Sequence, residues 1–225
     1  MSSEKPQKTF GFILLSGAFL TVLSTVMHPR TTNPWDGSHA LHEINSSYTA
    51  WMWDHVIMML AMILWLIGLS SSEMERGEKS EYGQNAGRLF VVSLAIWMIV
   101  LCAELTALPY LAKEAEGKGA SIAYATWEGH FAFGLFSGYI ALALTWIGVS
   151  FLSKHLKRDG ISRRFYLFGW YGGWVGLIGI ILSLLFPEHA IVILPVTSGV
   201  PFVWTGLLGW KMIKKEGKKQ IKVKN

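Results

Sequence analysis

Charge is the scarcest ingredient of this sequence: only 16% of its 225 residues are Asp, Glu, Lys or Arg, where a soluble domain carries about a quarter. The shortage falls in segments of about 20 residues, the length that crosses a bilayer core at a rise of about 1.5 Å per residue. Between them these segments leave no stretch for a separate soluble domain. Cysteine is nearly absent. The single Cys102 excludes an intramolecular disulfide, and its place in an apolar run reads as a small packing residue. There is no nucleotide-binding motif, so the sequence names neither a substrate nor an electron donor. A cleaved signal peptide is excluded as well. Lys5 and Lys8 precede the first apolar run, but no small-x-small site follows it, and it ends at Met27-His28-Pro29.

What remains is strongly apolar: 52% hydrophobic residues, with 11 Trp, 12 Phe and 9 Met. Six segments have the length and composition of membrane spans, at about 10–28, 48–69, 89–111, 130–152, 165–186 and 190–210. They predict an all-α, polytopic six-helix transmembrane bundle, a single domain ending in a basic tail, 211–225. Of the 20 Lys and Arg residues, only Arg30, Lys113 and Lys118 fall on one side of this arrangement; the rest gather at the N-terminus, the second and fourth loops and the tail. The positive-inside rule then makes both termini cytoplasmic and turns the histidine-bearing loops outward, in a multi-pass protein of the cell membrane. The tail suits anionic lipid rather than nucleic acid.

The polar residues that do enter or border the spans carry the functional expectation, because ionisable groups in membrane helices are expensive and usually functional. His28 closes a small or polar face of the first span, Gly17, Thr21, Ser24 and His28, which either packs closely against a neighbour or leads up to a site. Asp54-His55 opens the second span, behind tryptophans Trp51 and Trp53 that fit the interfacial aromatic belt. Trp51, His55, Met58 or Met59, and Met62 share a face. Glu104 lies about two turns inside the outer end of the third. His130 tops a Gly134-x-x-x-Gly138 pair in the fourth, a pattern that suits either a close helix crossing or a flat cofactor. His189 follows Glu188 after the fifth. In the first outer loop His39-Ala-Leu-His42-Glu43 places two histidines on one face, without the order or spacing of a zincin signature. His155, in the fourth loop, reads as solvated.

Six of the seven histidines thus fall on one side, and three closely follow an acid. Imidazoles at one depth on neighbouring helices are what a metal or haem needs, with a carboxylate fixing the tautomer. The first expectation is a b-type haem serving electron transfer as an oxidoreductase, ligated by His55 and His130 over Gly134 and Gly138. In that reading His28 and His189 hold or flank a second group, Arg30 meets a propionate, and a redox partner or other membrane subunits complete the system. In architecture the arrangement resembles the small membrane cytochromes b. The alternative is a copper, zinc or iron centre held by three or four of the histidines His28, His39, His42, His55, His130 and His189 plus Glu104 or Asp54, acting on a lipid or small molecule, with Asp54 and Glu104 as its candidate catalytic carboxylates. A third is a non-catalytic accessory or transport subunit.

Overall fold

A computed structural model describes residues 4–28, 35–74, 80–158 and 161–222; Arg30 lies outside them. Seven α-helices appear among the described residues and no strand: α1 (Glu4–Met27), α2 (Gly37–Ser46), α3 (Tyr48–Met74), α4 (Glu81–Glu114), α5 (Ala120–Arg158), α6 (Arg163–Leu185) and α7 (Ala190–Lys222). All but the short α2 are long and apolar enough to cross a membrane. The expected all-α, multi-pass architecture is therefore what the chain adopts.

Most helices run well past the apolar segments that announce them. α4 begins eight residues before the expected 89, because Ser80 caps it, its hydroxyl accepting from the Gly83 amide. The segment 70–88, expected as a linker, is thus largely helical at both its ends. Pro109 does not stop α4, which continues to Glu114, and α7 runs unbroken through Pro195 and Pro201. α2 is a surprise of a different kind. Asp36 caps it by accepting from the Ser38 and His39 amides, and the Ser38 hydroxyl, with the His39 amide, holds its carboxyl below the ordinary aspartate value. Ala40, Leu41 and Ile44 form one buried stripe, which settles on Trp51, Leu108, Ala112, Ala123 and Trp127 across the ends of α3, α4 and α5.

The six long helices form a closed ring. Each packs on its neighbour in the order α1, α3, α4, α5, α6, α7, and α7 returns to α1. Glycine sets the closest approaches. A Cβ on Gly17 would strike the Trp65 backbone, and one on Gly68 would come within 2.8 Å of the Leu14 backbone, so α1 and α3 cross with almost nothing between them. Along α6, Gly173 faces the Trp146 carbonyl and Ser150, and Gly179 faces Thr197. Without water to drive association, such backbone contact and interhelical hydrogen bonds are what hold membrane helices together.

Buried tryptophans supply those bonds. Trp65 donates to the Thr205 hydroxyl at 3.0 Å, Trp146 to Ser198 at 3.1 Å and Trp204 to the Phe165 carbonyl at 2.9 Å. At the end of the ring holding both chain termini, His155 is buried rather than solvated: its Nδ1 lies 2.7 Å from the Ser80 hydroxyl, tying the last turns of α5 to the start of α4. The outer surface is the reverse of a soluble protein's, with Phe19, Val91, Ile99, Ile178, Leu185 and Val203 all exposed. This surface suits hydrocarbon, not water. Cys102 belongs to it; the thiol is exposed rather than packed.

Candidate functional site

The opposite end of the ring collects the end of α1, the start of α3, the outer turns of α4 and the start of α5, with α2 laid across. Here Asp54 and His55 are 1% and 0% exposed. Adjacent residues on a helix point about 100° apart, and each finds its nearest charged partner in a different part of the ring. Asp54 turns to α1, its Oδ2 accepting from His28 Nδ1 at 2.8 Å, against 3.7 Å to His55 Nδ1. His55 turns to α4. Its Nδ1 donates to the Trp51 carbonyl at 2.8 Å, and its Nε2 lies 3.0 Å from Glu104 Oε2. The acid that precedes a histidine in sequence is therefore not the acid that meets it in space.

The tautomers follow from the acceptors. A backbone carbonyl can only accept, so His55 carries a hydrogen on Nδ1 and turns Nε2 towards Glu104. Despite the 3.0 Å separation, that nitrogen makes no hydrogen bond of ordinary geometry among the described residues, and neither does Asp54 Oδ1. With Nε2 protonated the two groups are an ion pair; with the imidazole neutral they are two electron-pair donors face to face. His28, Asp54 and His55 each offer a ligand atom within 4.8 Å of the other two. Trp51 frames the group: its ring stacks on His55 at 4.0 Å and its Nε1 donates to the Glu104 carbonyl at 3.0 Å. It is 5% exposed. The aromatic-belt reading suits Trp53, which is exposed, but Trp51 belongs to the site; its i−4 relation to His55 was the one signal in the sequence.

The cluster opens on a cavity of about 260 Å³ between α4 and α5. Its polar walls include His28, Glu104 and His130, and its apolar walls include Trp97, Val100, Trp127 and Phe133. Gly134 and Gly138 line it, and a Cβ on either would meet nothing closer than 3.9 and 3.6 Å. These glycines are thus not a close helix crossing. His130 Nδ1 lies 3.3 Å from the Thr126 carbonyl, the same i−4 tie that His55 makes. His55 itself is not part of the cavity wall, so the structure does not set His55 and His130 face to face.

The remaining histidines join none of these contacts. His39 and His42 are exposed on the outer side of α2, His39 lying 3.8 Å from Glu43; His189 is exposed beside Glu188 at 3.9 Å. Replacing His39, His42 and His189 together by alanine is expected to leave metal content and thermal stability of the purified protein unchanged, surface substitutions ordinarily staying within about 0.5 kcal/mol. Elemental analysis and a melting curve check this. The chain matches no protein-family profile, no curated protein and no solved structure.

Proposed function

We propose that this chain is a multi-pass membrane metalloenzyme whose centre is a non-haem transition metal held between the His28–Asp54–His55 cluster and Glu104, with Asp54 also orienting His28. The observation that carries the reading is the contact at His55: a buried Nε2 3.0 Å from a carboxylate oxygen, without a hydrogen bond of ordinary geometry between them, which in the neutral imidazole leaves two donors facing one point. The ties around it are those of a ligand shell. Metal-bound histidines donate their second ring nitrogen to a carboxylate or backbone carbonyl, and here His28 Nδ1 is tied to Asp54 and His55 Nδ1 to the Trp51 carbonyl. A cation also answers an electrostatic need. A buried carboxylate costs several kcal/mol unless compensated; Asp54 is buried and Glu104 half-buried, and the partners the structure gives them are histidines rather than Lys or Arg.

Two histidines and one carboxylate suit zinc or iron(II), which with open positions act as a Lewis acid or activate a bound water or oxygen. The chain's own part is to hold the donors, to keep water out with Trp51, Trp127 and α2, and to leave the cavity side open to a small or lipid-borne molecule. His130, on the cavity wall and tied only at Nδ1, is placed to hold a polar group of that molecule or to move a proton at Nε2. Positive-inside distribution of Lys and Arg puts this end on the extracytoplasmic side.

Elemental analysis with an absorption spectrum of the detergent-purified protein is the test. About one zinc or iron per chain without a Soret band is the expected result. Asp54→Asn keeps the shape but loosens His28, and is expected to weaken metal affinity about 10–100-fold. An Asp54→Asn protein that binds metal as wild type does would remove the orienting role. Haem b is the second reading, supported by the open Gly134–Gly138 face below His130. Against it stand the sequestered His55 and a cavity smaller than the roughly 300 Å³ at which ordinary ligand sites begin. A Soret band lost in His130→Ala would decide for it.

A further inference from the structure

A second cavity, of about 430 Å³, lies deeper in the ring, and nothing in the reading above uses it. Its walls are almost wholly apolar: Met58, Met62 and Trp65 of α3, Trp146 of α5 and Phe202 of α7. Two features make it more than a packing fault. First, its rim includes Val22, Thr25 and Val26 of α1 and Pro195 of α7, all exposed on the outer surface of the ring. A cavity whose edge is exposed at the height of membrane-spanning helices opens to lipid hydrocarbon rather than to water. Second, Trp97 and Leu142 line both this cavity and the one beside the histidine cluster. Trp97 therefore stands where the two spaces meet, and its Nε1, although buried, has no hydrogen-bond partner among the described residues. A buried donor without an acceptor is rare and calls for one.

We infer that the two cavities form one binding site for a single-tailed membrane amphiphile, which enters between α1 and α7. Its tail lies in the lower cavity, and its head, bearing a carbonyl, sits in the upper one beside His28, Glu104 and His130. The Trp97 indole donates to the carbonyl at the junction. The volume fits: about 430 Å³ lies within the range of ordinary ligand sites, and a lining without charge accepts a hydrocarbon tail and rejects a polar one. The inference deepens the proposed function by naming its substrate class, but the cavity, its mouth and the unpaired indole stand without any metal.

The test uses the full-length protein in detergent, with and without prior chelation, and two photoactivatable probes carrying a diazirine in the tail: a 16-carbon fatty acid and a quinone with one isoprenoid tail. A diazirine-bearing alkane without a head is the control. Cross-linked peptides are mapped by mass spectrometry. The expected result is labelling at Met58–Met62 and Leu194–Phe202 by at least one carbonyl-bearing probe, and the probe that labels identifies the source of the head. Gly199→Phe fills the mouth at a position where a Cβ meets nothing within 4 Å, and should cut this labelling at least tenfold. Trp97→Phe keeps the ring but removes the donor, and should weaken the carbonyl probe about five- to tenfold, the worth of one hydrogen bond, while leaving alkane labelling unchanged. Labelling spread over outward residues such as Val91, Ile99 and Ile178, and indifferent to both variants, would show annular lipid only and overturn the inference. Because labelling is expected equally with and without prior chelation, loss of the metal proposal and loss of this one are distinguishable.

Discussion

His55→Ala is expected to empty the centre, leaving less than about a tenth of the wild-type metal per chain. The imidazole touches both sides of the site: Nδ1 holds the Trp51 carbonyl and Nε2 faces Glu104. Its ring is also the surface on which Trp51 stacks. Removal takes a donor, orphans a buried carbonyl and leaves Glu104 without its neighbour. Leaving a buried carbonyl without its hydrogen-bond partner costs about 1–3 kcal/mol, so the variant loses stability along with metal. Glu104→Gln separates the two effects. It keeps shape and volume but exchanges a charged donor for a weak one, and should lose most of the metal while melting close to the chelated wild type. Elemental analysis paired with a melting curve reads both. Full metal in Glu104→Gln would sink the proposed ligand set, and a chelated wild type no less stable than the loaded protein would sink the linkage of metal to fold.

Gly17→Leu is expected to be the most damaging change away from the site. At Gly17 the obstacle is the backbone of Trp65, not a side chain that can rotate away. α1 would have to withdraw from α3 along its length, and His28 would travel with it. Ordinary overpacking costs about 1–3 kcal/mol; displacing a whole helix pair belongs in the class above about 4–5 kcal/mol. For a chain of this size that lowers the melting temperature by about 10–20 °C, read from tryptophan fluorescence in detergent. Gly134→Ala is the matched control, since its Cβ would meet Val100 at an ordinary 3.9 Å, and should melt as wild type does. A Gly17→Leu protein that also melts as wild type would show that α1 and α3 can separate without cost.

The contrast between these two glycines shows what was legible beforehand. Six spans and the clustering of His28, Asp54, His55 and Glu104 at one end could be read from hydropathy and from the cost of placing ionisable groups in hydrocarbon. Partnership could not. The sequence pairs Asp54 with His55 by adjacency, but a helix turns about 100° per residue, and the nearest partner of Asp54 is His28, 26 positions away. Nor can a glycine pattern distinguish a crossing from a cavity wall: Gly17 and Gly173 are pressed against backbone, while Gly134 and Gly138 stand clear. α2 escaped notice because its ten residues carry no membrane-length signal, and its burial is set by ends of helices far apart in the chain. Hydropathy windows likewise stop at the first charges, so they cut α4 short of Glu81.

The closure of the ring has a consequence for how the protein comes into being. Five of the six contacts that make the ring join long helices that follow one another in the sequence, and each can form as soon as its second helix enters the bilayer. The sixth joins α7 to α1, the last helix to the first, and must wait for the whole chain and bear the largest loop-closure cost. Every donor of the proposed centre lies on α1, α3 or α4, so the polar site can assemble while the barrel is still an open sheet of helices. The seam that closes last is also the one bordering the lower cavity. A lipid tail could be enclosed there during synthesis, before the mouth between α1 and α7 exists.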